Sequence, residues 1–125
     1  MPEWRTLADL EAETRVPVVI VDHHGIIIRV NAEFENLFGW SSPEAVGLPL
    51  TVIIPENMRE AHLLGFSRLL KTSKPRLLNQ AIRLPAIAKT GREFMAEHII
   101  VGEKRGEQWI FGATIREMMP RFDKI

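Results

Sequence analysis

Hydrophobic and polar positions follow two different periods along the chain, and these periods predict the order of its elements. Leu7, Leu10 and Val16 are separated by small and acidic residues, which predicts a short N-terminal helix from about residue 3 to residue 14. The run VVIV then predicts a buried strand, DHHG a turn, and IIIRVN over 26–31 a second strand. These two strands are expected to form a hairpin.

Helices are predicted in the middle of the chain. Asn31 is a favourable N-cap for the segment AEFENLF, and Gly39 is its expected C-cap. The segment SSPEAV begins another small helix, which should end at Gly47 because proline suits the first turn and glycine the residue after the last. A longer amphipathic helix is predicted over about 57–72.

The last third of the chain alternates with a period of two, as strands with one buried face do. The alternating segments are LNQAIRLPAIAK, REFMAEHIIV and QWIFGATIRE, separated by the turn TG and the polar loop GEKRGE. This pattern predicts an antiparallel meander of three strands. Two strands, several helices and three further strands make an α+β fold.

Composition narrows the function classes. A length of 125 residues fits one domain, and 16 basic residues balance 16 acidic ones without a basic run, so neither nucleic acid nor an anionic membrane is an expected partner. The chain has no cysteine, which excludes disulfides, thiolate metal sites and flavin–cysteine photoadducts. No segment has a signal-peptide pattern or the length of a membrane span, which favours the cytoplasm.

Catalytic motifs are not found. Glu93 and Glu97 have no nucleophile nearby in sequence, and GEKRG is a polar turn rather than a phosphate-binding loop. His23 and His24 lie in the DHHG turn without the further histidine spacing that a zinc site uses. We therefore expect neither an enzyme nor a zinc site.

One histidine lies in the apolar stripe of the long helix, in the segment MREAHLLGFSRLL. At 100° per residue, His62 points in nearly the same direction as Met58, Gly65, Phe66 and Leu69. Such a histidine is more often a structural core residue than a metal ligand.

A second histidine is placed by strand parity. In EFMAEHII, either Glu97 or His98 faces the core, and a neutral imidazole costs far less to bury than a carboxylate. His98 is therefore expected to face the core. Two histidines, one on a helix and one on a strand, would then lie on otherwise apolar faces.

The order of motifs resembles the PAS family of sensor domains. The likeness runs from about residue 7 to residue 117 and rests on VVIVDHHGIIIRVNAEFENLFGWSSPEAVG, IPENMREAHLLGFSRLL, LPAIAKTGREFMAEHII and FGATIRE. It implies a five-stranded antiparallel sheet in the order 2-1-5-4-3, with short helices on one face enclosing a ligand cavity. Together with the pattern of the chain, it divides the sequence into an N-terminal helix or cap over 1–16, the PAS domain over 17–117 and, from MMPRFDKI, the start of a signalling linker over 118–125.

Within that family the chain most resembles the haem-binding, FixL-type oxygen sensors. In those proteins a histidine after the PE turn binds the haem iron, and His62 aligns with it without gaps from IPE through TGREF. In those proteins the position that corresponds to His98 is apolar and lines the distal side of the haem, so a histidine there is a candidate second axial ligand. The arginine that hydrogen-bonds oxygen falls at Ile82, while Arg83 faces away, so a redox, carbon monoxide or nitric oxide sensor is expected instead.

The candidate site combines the cavity-facing positions with the two histidines. Haem b is the candidate cofactor, with His62 and His98 on iron and with the porphyrin contacting Met58, Phe66, Leu69, Leu77, Ile82, Leu84, Ile100, Phe111 and Ala113. A cofactor-free PAS module for dimerisation and signal relay, and a PAS domain that binds a small organic ligand, stay open beside the haem sensor. Flavin is less favoured.

Partners are expected on the other face of the sheet. Met95, Ile99 and Val101 make that face apolar, and Leu7 and Leu10 could join them, which predicts a homodimer through the outer face and the N-terminal helix. The alternative is that this helix covers the face within one chain. Signalling also implies a downstream kinase, cyclase or regulator, in the same chain or in another.

Overall fold

A computed structural model describes residues 4–71 and 80–118, with backbone only for residues 66–71. The four helices are α1 (Leu7–Ala12), α2 (Ala32–Phe38), α3 (Ser42–Ala45) and α4 (Arg59–Lys71), with 3-10 turns at Leu50–Ile53 and Glu56–Met58 before α4. The five strands are β1 (Val18–Val21), β2 (Ile27–Val30), β3 (Ala81–Ile87), β4 (Glu93–Arg105) and β5 (Gln108–Glu117). This element order confirms the predicted one.

The strands form one antiparallel sheet in the order β2-β1-β5-β4-β3, which confirms the predicted topology. β5 lies at its centre, paired with β1 on one side and with β4 on the other. Because side chains alternate between the two faces of a strand, this sheet separates two hydrophobic clusters. The larger cluster lies on the inner face, where Phe34 and Phe38 of α2 pack beneath the strands.

The smaller cluster lies on the outer face and is covered by α1. Leu7 and Leu10 of this helix are fully buried together with Ile99 and Val101 of β4. The helix therefore covers part of the apolar face within one chain, which is the arrangement considered above as the alternative to a dimer. Met95 on the same face stays 46% exposed. The homodimer remains a prediction with a smaller apolar surface to support it.

α1 approaches the sheet closely at Gly112. A Cβ added there would lie 2.5 Å from Leu10 Cδ1, 3.2 Å from Ile20 Cγ1 and 3.3 Å from Leu7 Cδ2. A side chain at this position would thus overlap the helix. Glycine lets α1 rest directly on β5.

Asn31 connects the N-terminal segment to the sheet and to α2. Its Oδ1 accepts hydrogen bonds from the backbone N–H groups of Val18 (2.9 Å) and Phe34 (3.0 Å), the second of which caps α2 as predicted. Its Nδ2 donates to the carbonyl oxygens of Glu13 (3.1 Å) and Val16 (2.8 Å). One amide side chain therefore fixes three parts of the chain.

The bounds of α1 and of β4 differ from the predicted ones. α1 begins at Leu7, later than expected, because Thr6 and Asp9 form a capping box, and it ends at Ala12, before the Glu13 carboxylate accepts two backbone N–H bonds. The predicted loop GEKRGE is mostly strand, since β4 continues to Arg105 and pairs with β5 as far as Gln108. The predicted linker over 118–125 lies outside the described residues except for Met118.

Within the described ranges, no helix combines the length and the apolar character that crossing a bilayer requires.

Candidate functional site

A cavity of about 270 Å³ lies between the inner face of the sheet and the segment that leads into α4. Its walls are apolar except for two histidine side chains. They are formed by Val19, Val21, Leu50, Ile53, Ile54, Met58, Ala61, His62, Gly65, Ile82, Leu84, Pro85, His98, Ile100, Phe111, Gly112, Ala113 and Ile115. The cavity thus combines a hydrophobic lining with two polar anchors, which is the usual composition of a small-molecule site.

The helical side of the cavity is formed by one face of the 58–65 segment. Met58 and Gly65 each lie three or four residues from both Ala61 and His62, the spacing that places side chains on one side of a helix. Leu64 points away and is 58% exposed. The predicted direction of His62, Met58 and Gly65 is therefore the direction in which the cavity lies.

His98 is placed in the opposite wall by the register of the sheet. It pairs with Ile82 of β3 on one side and with Ile115 of β5 on the other, and all three line the cavity. Its neighbour Glu97 pairs with Arg83 and faces the other side of the sheet. The structure thus confirms the parity argument that turned the imidazole, and not the carboxylate, inward.

The imidazole of His98 is only partly engaged. Its Nε2 atom is buried and has no hydrogen-bond partner among the described residues. The backbone of Leu84 lies near the ring and raises the pKa of His98, against the effect of burial. A neutral histidine whose Nε2 has no partner can present a lone pair there to a metal ion or a ligand.

Both histidines are neutral at pH 7. Burial lowers the pKa of His98 to about 4, and the nearby His62 lowers it further, whereas the bond to the Leu84 backbone acts in the opposite direction. Burial likewise lowers the pKa of His62, which is half-buried. Neutral imidazoles can bind a metal ion or accept a hydrogen bond from a ligand.

Among the described residues, the exposed part of the cavity lining lies on α4 and β3, so we place the opening of the cavity between these two elements. Ala61 and Gly65 of α4 line the cavity and are exposed, and Leu84 of β3 lines it while remaining 39% exposed. Its volume lies below the range of about 300–1,000 Å³ that is typical of drug-sized ligands. A larger ligand therefore has to extend into this opening.

These features can be compared with the needs of haem. The two neutral histidines, one with a buried and unpaired Nε2, fit the donor set of a haem iron, and the apolar walls fit a porphyrin. The volume enclosed by the described residues is small for it. The residues present thus fit haem in their chemistry, provided that the porphyrin extends through the opening.

The predicted site residues are largely brought together. Met58, Ile82, Leu84, Ile100, Phe111 and Ala113 all line the cavity with the two histidines. Leu77 lies outside the described residues, and the side chains of Phe66 and Leu69 are not described. Contact of any of these residues with a cofactor stays a prediction.

Several lining residues were not among the predicted site residues. Val19 and Val21 come from the first strand, and Ile53 and Ile54 from the turn before α4. In the sequence they are indistinguishable from ordinary core residues. Ala61 could have been found, because it lies one residue before His62 and one helical turn from Met58 and Gly65.

The DHHG turn holds no second site. His24 is exposed, and His23 lies beside it with ring centroids 3.9 Å apart and the rings tilted by 41°. Among the described residues, no group of three or more histidine, cysteine, aspartate or glutamate side chains is arranged to hold a metal ion.

Comparison with known proteins agrees with this architecture. The model of the family described as PAS fold matches residues 5–111. Sensor protein FixL of Bradyrhizobium diazoefficiens is 32% identical over 102 residues, and an uncharacterized protein of Azorhizobium caulinodans is 29% identical over 105 residues. The matched segments cover 81% and 83% of this chain but only 20% and 14% of those proteins.

Solved structures show the same fold at low sequence identity. The PAS domain of a Colwellia psychrerythraea protein has a TM-score of 0.68 at 20% identity, covering 84% of this chain and 87% of that one. The Rhodobacter sphaeroides LOV protein has a TM-score of 0.69 at 12% identity, covering 93% of this chain and 66% of that one.

Proposed function

Since this chain belongs to the PAS family, we propose that it is the sensory module of a signalling protein and that its cavity binds haem b through His62 and His98. The observation that carries the proposal is the buried Nε2 of His98, which has no partner among the described residues and lies in the wall opposite His62. The similarity to a FixL sensor over most of the chain supports it.

The two histidines have different tasks in this proposal. His62, on the helix, is the axial ligand that the resemblance to FixL-type domains implies, and His98, on the strand, is the second ligand. When bound, haem supplies an iron centre that responds to redox state and to diatomic gases. Ile82, directly opposite His98 in the sheet, offers no hydrogen-bond donor, so stabilisation of bound oxygen by that residue is not expected.

His98 also connects the cavity to the rest of the sheet. It lies on β4, whose other face carries Ile99 and Val101 against α1. A change in what its Nε2 binds therefore acts on a strand that both clusters share. The C-terminal end of β5 is held close to β4. The Met118 N–H donates to the Met95 carbonyl oxygen of β4 at 2.9 Å, and Arg92 forms an ion pair with Glu117.

The test is the visible spectrum of the protein purified with haem supplied. The wild type should show the Soret band of a six-coordinate, low-spin haem. His98→Ala should become five-coordinate, and His62→Ala should lose most of the bound haem. His24→Ala, an exposed histidine in the turn, is the matched control and should match the wild type. An unchanged spectrum in His62→Ala would refute the proposed ligation.

The volume of the cavity favours a second candidate, a PAS domain for a small organic ligand. A cavity of about 270 Å³ holds such a molecule without protrusion, and the Nε2 of His98 would accept a hydrogen bond from its hydroxyl or amide group. Colourless protein that releases a bound organic molecule on denaturation would select this function. Colourless protein that binds nothing would select the cofactor-free relay module.

The same family membership supports a proposal for the partners. We propose a cytoplasmic homodimer that contacts a downstream kinase, cyclase or regulator through the outer face of the sheet. The exposed Met95 supports the dimer. Size-exclusion chromatography at several concentrations tests it, and elution as a monomer at every concentration would contradict it.

A further inference from the structure

Gly65 is an unusual residue for its position. It lies in the interior of α4, where glycine is the least favoured residue after proline. Its φ is not positive, and a Cβ added there meets no atom of a described residue within 4 Å. Gly112 is different, since its missing side chain makes room for Leu10. Neither backbone conformation nor packing in the described structure explains Gly65.

The space beside Gly65 belongs to the part of the cavity whose described lining residues are exposed, and we take this part as the opening. Gly65 and Ala61 form its helical edge, and Leu84 and Pro85 of β3 form its strand edge. All four line the cavity, and three of them are exposed. No charged side chain of the described residues lines the cavity. We call this opening, bounded by Ala61, Gly65, Leu84 and Pro85, the α4–β3 mouth.

We infer that ligands enter and leave through the α4–β3 mouth, that Gly65 keeps it open, and that the mouth admits uncharged apolar molecules. The inference rests on the proposed function only in taking the cavity as the ligand site, and it does not depend on haem. Glycine at this position leaves a gap of side-chain size where the helix passes the strand. Leu84 is the largest side chain on the opposite edge and narrows the mouth from the other side.

The inference makes opposite predictions for the two edges. A side chain at residue 65 should slow both entry and exit, because a ligand passes the same barrier in both directions. A shorter side chain at residue 84 should accelerate both. In each case the dissociation constant should change much less than the rates, since the histidines and the deep walls are left intact.

Benzene is a suitable probe, because dry apolar cavities of about 150 Å³ bind it and this cavity is larger. Its exchange is measured by NMR on protein prepared without haem. Gly65→Leu should slow exchange about tenfold, with Gly65→Ala between it and the wild type, and Leu84→Ala should accelerate exchange about threefold. Leu64→Ala is the matched control, as Leu64 lies on the same helix but does not line the cavity.

Thermal unfolding separates these effects from loss of structure. Gly65→Ala should be at least as stable as the wild type, because its Cβ meets no described neighbour. If Gly65→Leu binds no benzene, the inference is tested by comparing the benzene exchange rate of Gly65→Ala with that of the wild type. Benzoate, which adds a charge to the same ring, should bind at least about tenfold more weakly.

Unchanged exchange rates in both Gly65→Ala and Leu84→Ala would overturn the inference, as would a wild type that binds no benzene. Equal affinities for benzene and benzoate would overturn the statement that the mouth admits uncharged apolar molecules. Failure of the haem proposal is seen separately, as the lack of a Soret band. Benzene exchange that follows the edge variants in such colourless protein would support the mouth and reject haem.

Discussion

The protonation of His98 should make the protein lose stability in mild acid. The pKa of His98 is lowered to about 4 in the folded chain, mainly by burial, against an ordinary value of 6.5. Between these two values the unfolded chain binds more protons than the folded one. The free energy of unfolding must therefore fall as the pH falls from about 6.5 to about 4.

The magnitude follows from the difference of 6.5 − 4 = 2.5 pKa units. At about 1.36 kcal/mol per unit, the complete loss is about 3 kcal/mol, and about 2 kcal/mol of it is reached by pH 5. Burial also lowers the pKa of His62, which adds to the loss in the same direction. The assay is urea unfolding at a series of pH values from 7.5 to 5, comparing the wild type with His98→Leu.

The carboxylates do not obscure this window. Hydrogen bonds and ion pairs lower the pKa values of Asp9, Glu13, Glu44 and Glu117, and the stability they provide is lost with falling pH only near and below their ordinary values of 3.8 to 4.5. His98→Leu should thus show a flatter pH dependence above pH 5. Parallel curves for the wild type and His98→Leu would refute the buried, neutral imidazole.

Two packing features make further predictions. Gly112→Ala should lower the free energy of unfolding by about 1–3 kcal/mol, because the new Cβ overlaps Leu10, and Leu10→Ala should restore part of the loss in the double variant; additive losses in urea unfolding would contradict this contact. Asn31→Ala should cost about 2–4 kcal/mol, since it removes the cap of α2 and three further hydrogen bonds. Asn31→Asp keeps the acceptor and should cost less, so equal losses in calorimetry would argue against the cap.

Much of the fold is readable in the sequence because the signals are local. The alternation in QWIFGATIRE predicts β5 with its observed bounds, and Asn31 predicts the start of α2. The segment GEKRGE was wrongly predicted as a loop, because its polar residues do not show the alternation of apolar and polar positions that indicates a strand. What extends β4 there is pairing with β5, as between Lys104 and Trp109, and such pairing is not visible in a local pattern.

The site was predictable where one element decided it. Parity turned His98 inward, and helical spacing placed His62. The contribution of β1 and of the turn before α4 was missed, because Val21 or Ile53 looks the same in sequence whether it packs against a neighbour or borders a cavity. The role of α1 was left open between two arrangements, and its close approach at Gly112 decides that this helix packs on its own sheet.

That approach has a thermodynamic consequence. β5 presents Phe111 and Ala113 to the cavity and Gly112 to α1, so the thickness of one strand separates a ligand from the helix. Binding of a ligand in the cavity and packing of α1 on the sheet are then two equilibria that both involve β5. If a ligand loosens α1 by some factor, α1 must weaken the affinity for that ligand by the same factor. Binding measured with and without residues 1–16 would give the energy of communication across the sheet, without knowledge of the downstream partner.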